Sequence, residues 1–146
     1  MHLEGEFQVA TPVARVWALF RDPVSLMGCV DDPHEVRPVD ASHFEGQLTT
    51  GVAFIRGTFR FRGSYAAETP MQSLRVQLSG SGMGSGMDAD IAVTFSGAPT
   101  STQVRWTAEV RMSGTIATVG ERLVRGTVDK KVAGLFENAR RQLAGA

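Results

Sequence analysis

Cys29 is the only cysteine in 146 residues. A single thiol excludes an internal disulfide and a multi-cysteine metal centre, and it fits a reducing compartment. No charge of one sign prevails either: 15 Lys and Arg balance 15 Asp and Glu. A net charge of zero offers no bulk attraction to nucleic acid. The longest apolar runs are far too short to cross a bilayer. The opening MHLEGEF lacks the basic segment and apolar core of a secretory signal, which predicts a cytoplasmic protein. No internal repeat or linker divides the chain, and its length suits one domain over residues 1–146.

Proline is scarce, and none follows Pro99. The last third, residues 114–146, therefore reads as one long helix, capped by Ser113 or Thr115. About thirty residues of helix span about 45 Å, enough to cross a small sheet. At about 100° per residue, Ala117, Val124, Val128, Val132, Leu135, Ala139 and Leu143 form one apolar stripe, with Phe136 at its edge. The first half carries a second apolar face: Ile116, Val119, Gly120, Leu123 and Thr127. A helix apolar on two sides buries both or presents one to a ligand, partner or membrane.

The rest of the chain reads mostly as strands. Residues 2–9 alternate, with Leu3, Gly5, Phe7 and Val9 on one side. Thr11-Pro12 caps and starts a helix whose buried face is Val13, Val16, Trp17 and Phe20. Asp22-Pro23 ends it, and residues 23–27 read as a second short helix. Strands follow over residues 35–39, 43–50, 52–67 and 74–78, then around Ile91, Val93 and Phe95, and over residues 104–112. The glycine-rich residues 79–87 read as a flexible hairpin at a cavity rim, with Met83 and Met87 as adaptable contacts. Short turns between successive strands predict an antiparallel sheet, apolar on one face and covered there by the long helix. A curved sheet around a single helix leaves a gap, and small ligands bind in such gaps. The fold class is α+β, with about seven strands.

Two stretches carry a family resemblance. The first is GEFxVxxPxxxVWxxxxDPxxLxxC, met from Gly5 to Cys29. The second is GxIAxxGxRLVxGT, a lysine pair and FEN, met from Gly114 through Phe136-Glu137-Asn138. Together they resemble the CoxG family, named for the CoxG subunit of carbon monoxide dehydrogenase, within the START-like (SRPBCC) superfamily. The resemblance implies a helix-grip fold with a hydrophobic cavity between sheet and helix. It implies an accessory role for a molybdenum-containing dehydrogenase, binding of a quinone-type lipid, and peripheral contact with the inner face of the cell membrane. Two features depart from the pattern. Val30 is followed by Asp31-Asp32 where the family commonly has Pro-Gly, and some members continue beyond the position of Ala146 into a membrane-binding extension.

Other chemistry is thinly supported. Asp31, Asp32 and His34 lack metal-ligand spacing, and Asp88 and Asp90 lack the rest of a calcium loop. Gly80, Gly82, Gly84 and Gly86 are not followed by a phosphate-binding lysine and a helix start. Cys29 with His34 or His43 reads better as a packed thiol than as a nucleophile. In RGTFRFRGSY, Phe59 and Phe61 point away from Arg60 and Arg62, so they form no nucleic-acid platform. Arg56, Arg60, Arg62, Arg75, Arg105 and Arg111 share the open face of the sheet, as a solvated surface or as a dock for an acidic partner.

The cavity lining expected from this reading is Phe44, Leu48, Ile55, Phe59, Phe61, Leu78, Ile91, Val93, Trp106, Val110 and Leu123. Trp17, Phe20 and Met27 close its mouth, with Ile116 and Val119 at the entrance. The ligand is a hydrophobic small molecule, with no metal and no covalent cofactor. Two other readings stand beside this one. A START-like cyclase or hydrolase acting on an aromatic or polyketide-like substrate needs an acid or base inside the cavity, where the strand faces supply only Tyr65. An interaction-only protein needs no ligand.

Overall fold

Alternating apolar and polar side chains build one antiparallel sheet with a helix laid across its apolar face. The computed structural model describes residues 1–144, so Gly145 and Ala146, the last positions of the expected helix, lie outside the described residues. The chain opens with β1 (His2–Val9), α1 (Val13–Arg21) and α2 (Pro23–Met27). Six strands follow: β2 (His34–Pro38), β3 (His43–Val52), β4 (Ile55–Thr69), β5 (Ser73–Gly82), β6 (Ser85–Ala98) and β7 (Ser101–Gly114). Two helices close it, α3 (Thr115–Val119) and α4 (Glu121–Ala144). The sheet order is β1-β7-β6-β5-β4-β3-β2. The first strand thus pairs with the last, and β1 and β2 are the two edges. Among the described residues no helix is long and apolar enough to cross a membrane.

The sequence pattern explains most of these boundaries. The Asp22 side chain accepts from the Val24 backbone N–H at 3.1 Å and from Ser25 Oγ at 2.9 Å, capping α2 behind Pro23. At α1 the expected cap is absent: the N-cap is Pro12, with no side-chain bond. Thr11 is instead buried, and its carbonyl accepts from Thr102 Oγ1 at 2.7 Å. The glycine-rich residues 79–87 are a hairpin, as expected, but not a loose one. β5 runs through Gly82 and β6 starts at Ser85, leaving a two-residue turn at Met83 and Gly84. Both turn residues have positive φ, 53° and 72°, which matches the twist of the flanking strands.

The long helix is the main correction. It is two helices, not one, and Gly120 separates them at φ 97°, ψ 144°. Only glycine adopts that backbone cheaply, so one helical wheel does not run across residues 114–146. The two expected apolar faces therefore belong to different helices. Ile116 on α3 is buried against Ile55 and Val124, whereas Leu123 on α4 is 57% exposed. Glu121 in the first turn of α4 and Arg141 in its last turn complement the helix dipole.

The core divides into a large cluster and smaller ones. Ala139 and Leu143, near the C-terminal end of α4, pack with Phe7, Val9, Val16, Phe20, Phe95 and Val104. Phe136 stacks on Phe7 with ring centroids 4.5 Å apart. At the other end, Val124 packs with Ile55 and Ile116. A third cluster joins Leu3, Ala108 and Val110 beneath the β1 edge. The helix is thus seated at both ends. Between those seats its inward side chains, Val128, Val132 and Leu135, are only half-buried.

Candidate functional site

Half-burial of apolar side chains in the middle of a sheet–helix sandwich marks a space that the core does not fill. A cavity of about 700 Å³ lies there. Val128, Val132 and Leu135 of α4 form its roof, and Leu48, Phe59 and Phe61 of β3 and β4 form its floor. Met87 on β6 and Ile116 on α3 close one end. A space of this size with an apolar roof and floor suits a small apolar molecule. A second hollow of about 740 Å³ lies on the outer face, among Glu35, Arg37, Glu45, Gln47, Arg60 and Arg62. It is a trough in a charged surface and offers no apolar contact of comparable extent.

The expected lining residues separate into groups. Leu48, Phe59, Phe61 and Ile116 meet at the cavity. Phe44, Ile55, Val93 and Val110 are buried core, 5–8% exposed, and are not in the cavity wall. Phe44 packs edge-on to Phe61, with centroids 6.4 Å apart, so it backs the wall. Leu78 and Ile91 are half-buried on the interior face. Trp106 turns toward the sheet edge, where it lies over Gly5, its register partner. A Cβ at Gly5 would sit 2.8 Å from Trp106 Nε1, so the close approach requires glycine there. Trp17 and Phe20 pack edge-on to Phe95, at 5.5 and 5.6 Å, in the large core. Met27 and Val119 are half-buried outside the wall, and Leu123 faces solvent.

Pattern reading missed the roof and the rim. Val128, Val132 and Leu135 have the periodicity of core positions, and nothing in a periodicity tells a covered core from a covered void. At the rim, Val30, Asp31, Asp32, Thr50, Lys130 and Lys131 line the cavity. Lys131 Nζ donates to Asp32 Oδ2 at 2.7 Å, and Thr50 Oγ1 donates to the same oxygen at 2.9 Å. Those two bonds, opposed in part by desolvation, hold the Asp32 carboxyl below its usual range. Asn138 Nδ2 donates both to Asp31 Oδ1 and to the Cys29 carbonyl, each at 2.9 Å. Residues 29–32 are thereby tied to α4 along one side of the cavity. The Asp31-Asp32 pair has this structural role, and among the described residues no group of three His, Cys, Asp or Glu side chains gathers to hold a metal.

The other reactive candidates lie elsewhere. Cys29 is buried, burial pushes its thiol up, and it donates to Gln142 Oε1 at 3.1 Å. His34 pairs through Nδ1 with the Asp32 carbonyl at 2.8 Å, and His43 with Asp40 Oδ1 at 2.8 Å; neither bonds to Cys29. Burial pushes Tyr65 up to about 12, and its hydroxyl donates to the Phe20 carbonyl at 3.4 Å. Four of the six outer arginines face acids. Arg75 pairs with Asp90 at 3.1 Å, Arg105 with Glu6 at 3.3 Å, and Arg62 and Arg111 stand opposite Glu45 and Asp88 in the ladders. That pattern is a balanced solvated face.

Comparison with known proteins agrees with this fold. The family model for CoxG, a subunit of carbon monoxide dehydrogenase, matches residues 5–144. No curated protein matches the sequence. Among solved structures, a conserved protein from Geobacillus kaustophilus superposes with a TM-score of 0.92 at 18% identity, covering 99% of this chain and 96% of that one. A START superfamily protein from Mycobacterium smegmatis superposes with a TM-score of 0.78 at 10% identity, covering 99% and 97%. A Chromobacterium violaceum protein gives 0.73 at 10% identity, covering 97% and 96%. At these identities the likeness establishes the START-like, helix-grip fold.

Proposed function

Because the chain belongs to the CoxG family of carbon monoxide dehydrogenase subunits, we propose that it is a non-enzymatic accessory protein that carries a hydrophobic molecule beneath α4. The molecule is a quinone or similar lipid, and the protein serves a molybdenum-containing dehydrogenase at the inner face of the cell membrane. The observation that carries this reading is the unfilled interior. α4 is seated on core at both ends, and about 700 Å³ lie open under its middle turns. A domain with no ligand gains by packing that space, since each buried CH₂ is worth about 0.8 kcal/mol.

The chemistry at the cavity favours carriage over catalysis. A general acid or base works best with a pKa near the working pH. Asp32, on the rim, is held low by Lys131 and Thr50, and Tyr65 is pushed high. Neither is tuned to exchange protons near neutrality. Isothermal titration with short-chain quinone analogues tests the reading. Saturable, roughly stoichiometric binding is the expected result. Heat from dilution alone, across quinones, lipids and aromatics, favours an interaction-only protein. Turnover of a bound aromatic or polyketide-like molecule favours the enzyme reading.

A further inference from the structure

One carboxylate oxygen on the cavity rim is held by two donors from two different elements. Asp32 Oδ2 accepts from Lys131 Nζ on α4 at 2.7 Å and from Thr50 Oγ1 on β3 at 2.9 Å. All three side chains face the cavity, whose remaining wall is largely apolar. The acceptor is carried by a loop, whereas the two donors stand on a helix and a strand. Lys130 and Arg56 add positive charge nearby: Lys130 is on the cavity wall, and the Arg56 charge helps keep Asp32 ionised. Two donors on two elements thus converge on one point at the rim, and Asp32 is the acceptor that stands between them.

We propose that Thr50 and Lys131 form a head-group subsite, and that Asp32 is a resident acceptor which the ligand's own oxygen replaces. This rests on the carrier reading above and specifies its ligand class. The ligand has an apolar body and a head that accepts hydrogen bonds without donating them, a carbonyl or a carboxylate oxygen. Its body lies against Phe59, Phe61, Val128 and Leu135, and its head exchanges with Asp32. A ligand that displaces Asp32 also frees residues 29–32 from one of their ties to α4, so occupancy is readable from outside the cavity.

The test uses menadione, laurate and 2-methylnaphthalene, which matches menadione without its carbonyls. Titrations are run on the intact protein and on Lys131→Met, Lys131→Arg, Thr50→Val and Asp32→Ala, each checked for folding by thermal melting. Lys131→Met is expected to weaken binding of an acceptor-headed probe about tenfold, the loss of one charge-assisted hydrogen bond. Lys131→Arg keeps most of the affinity, and Thr50→Val weakens it less. Asp32→Ala tightens it severalfold by removing the competitor. 2-Methylnaphthalene binds all variants alike. A response from laurate alone identifies a carboxylate head, and one from menadione identifies a carbonyl; either supports the subsite. If 2-methylnaphthalene tracks menadione through every variant, the subsite is wrong while the cavity stands. If no probe binds the unaltered protein, the cavity reading falls and the subsite with it.

Discussion

Val124 and Val128 sit one turn apart on α4, yet enlarging them should have opposite results. Val124 is fully buried, 0% exposed, against Ile55 and Ile116. Val128 is half-buried and faces the cavity. Forcing a larger side chain into packed surroundings costs about 1–3 kcal/mol. At 2–4 °C per kcal/mol for a domain of this size, Val124→Phe lowers the melting temperature by about 2–12 °C. Val128→Phe adds roughly four carbons where there is room for them. At about 0.8 kcal/mol per carbon removed from water, the gain is at most about 3 kcal/mol, and less where the ring stays partly wet. The melting temperature therefore holds or rises. The same ring takes up part of the roughly 700 Å³, so binding of apolar probes weakens. Thermal melts and titrations of both variants read these outcomes. If Val128→Phe destabilises as much as Val124→Phe, the interior is packed and has no place for a ligand.

Further predictions follow from the same contacts. Leu123→Glu, at a 57% exposed position, should stay within about 0.5 kcal/mol of the unaltered protein in urea unfolding, whereas Ile116→Glu at 3% exposure should largely unfold it; equal effects would restore a single two-faced helix. Gly120→Ala should cost about 1 kcal/mol, because alanine is strained at φ 97° although the space around it is open; no loss would mean that α3 and α4 join into one helix in solution. Asp32 faces Lys131, Thr50 and the Arg56 charge, beside Asp31 and Lys130 on the same rim. Its folded pKa is depressed, so its contribution is present above the unfolded value and disappears as pH falls through the lower folded one. The stability difference between the unaltered protein and Asp32→Asn should accordingly persist near neutrality and close as the solution is acidified below about pH 4; a difference that grows with acidification would reverse the sign assigned to the Lys131 contact.

Strand positions and faces were legible because alternation is a local signal. β1, the paired short helices and the apolar face of β7 all follow from residues read two or four at a time. The break at Gly120 was not legible. Gly126 and Gly134 lie within α4 without ending it, so a glycine in an apolar-periodic stretch does not announce which role it takes. The break accompanies the packing of Ile116 against Ile55, a contact distant in sequence that no local pattern shows. The cavity was half legible. Leu48, Phe59 and Phe61 fall on the expected interior face and do line it, while Ile116, expected at the entrance, lies in the wall. Phe44, Val93 and Val110 share that face in sequence, and contacts distant in sequence decide that they are buried core. The rim was harder still. Asp31, Asp32 and Lys131 look like solvated charges until Thr50 and Asn138 are seen to bind the two aspartates.

Native mass spectrometry of the protein purified from its own host, followed by lipid extraction, tests the carrier function most directly. The expected spectrum shows a fraction of the protein carrying one apolar small molecule of defined mass, with a carbonyl or carboxylate oxygen, lost on mild activation and lower in Val128→Phe. A bare polypeptide mass under conditions that retain lipids on a known lipid carrier, with nothing recovered in the extract, would contradict it.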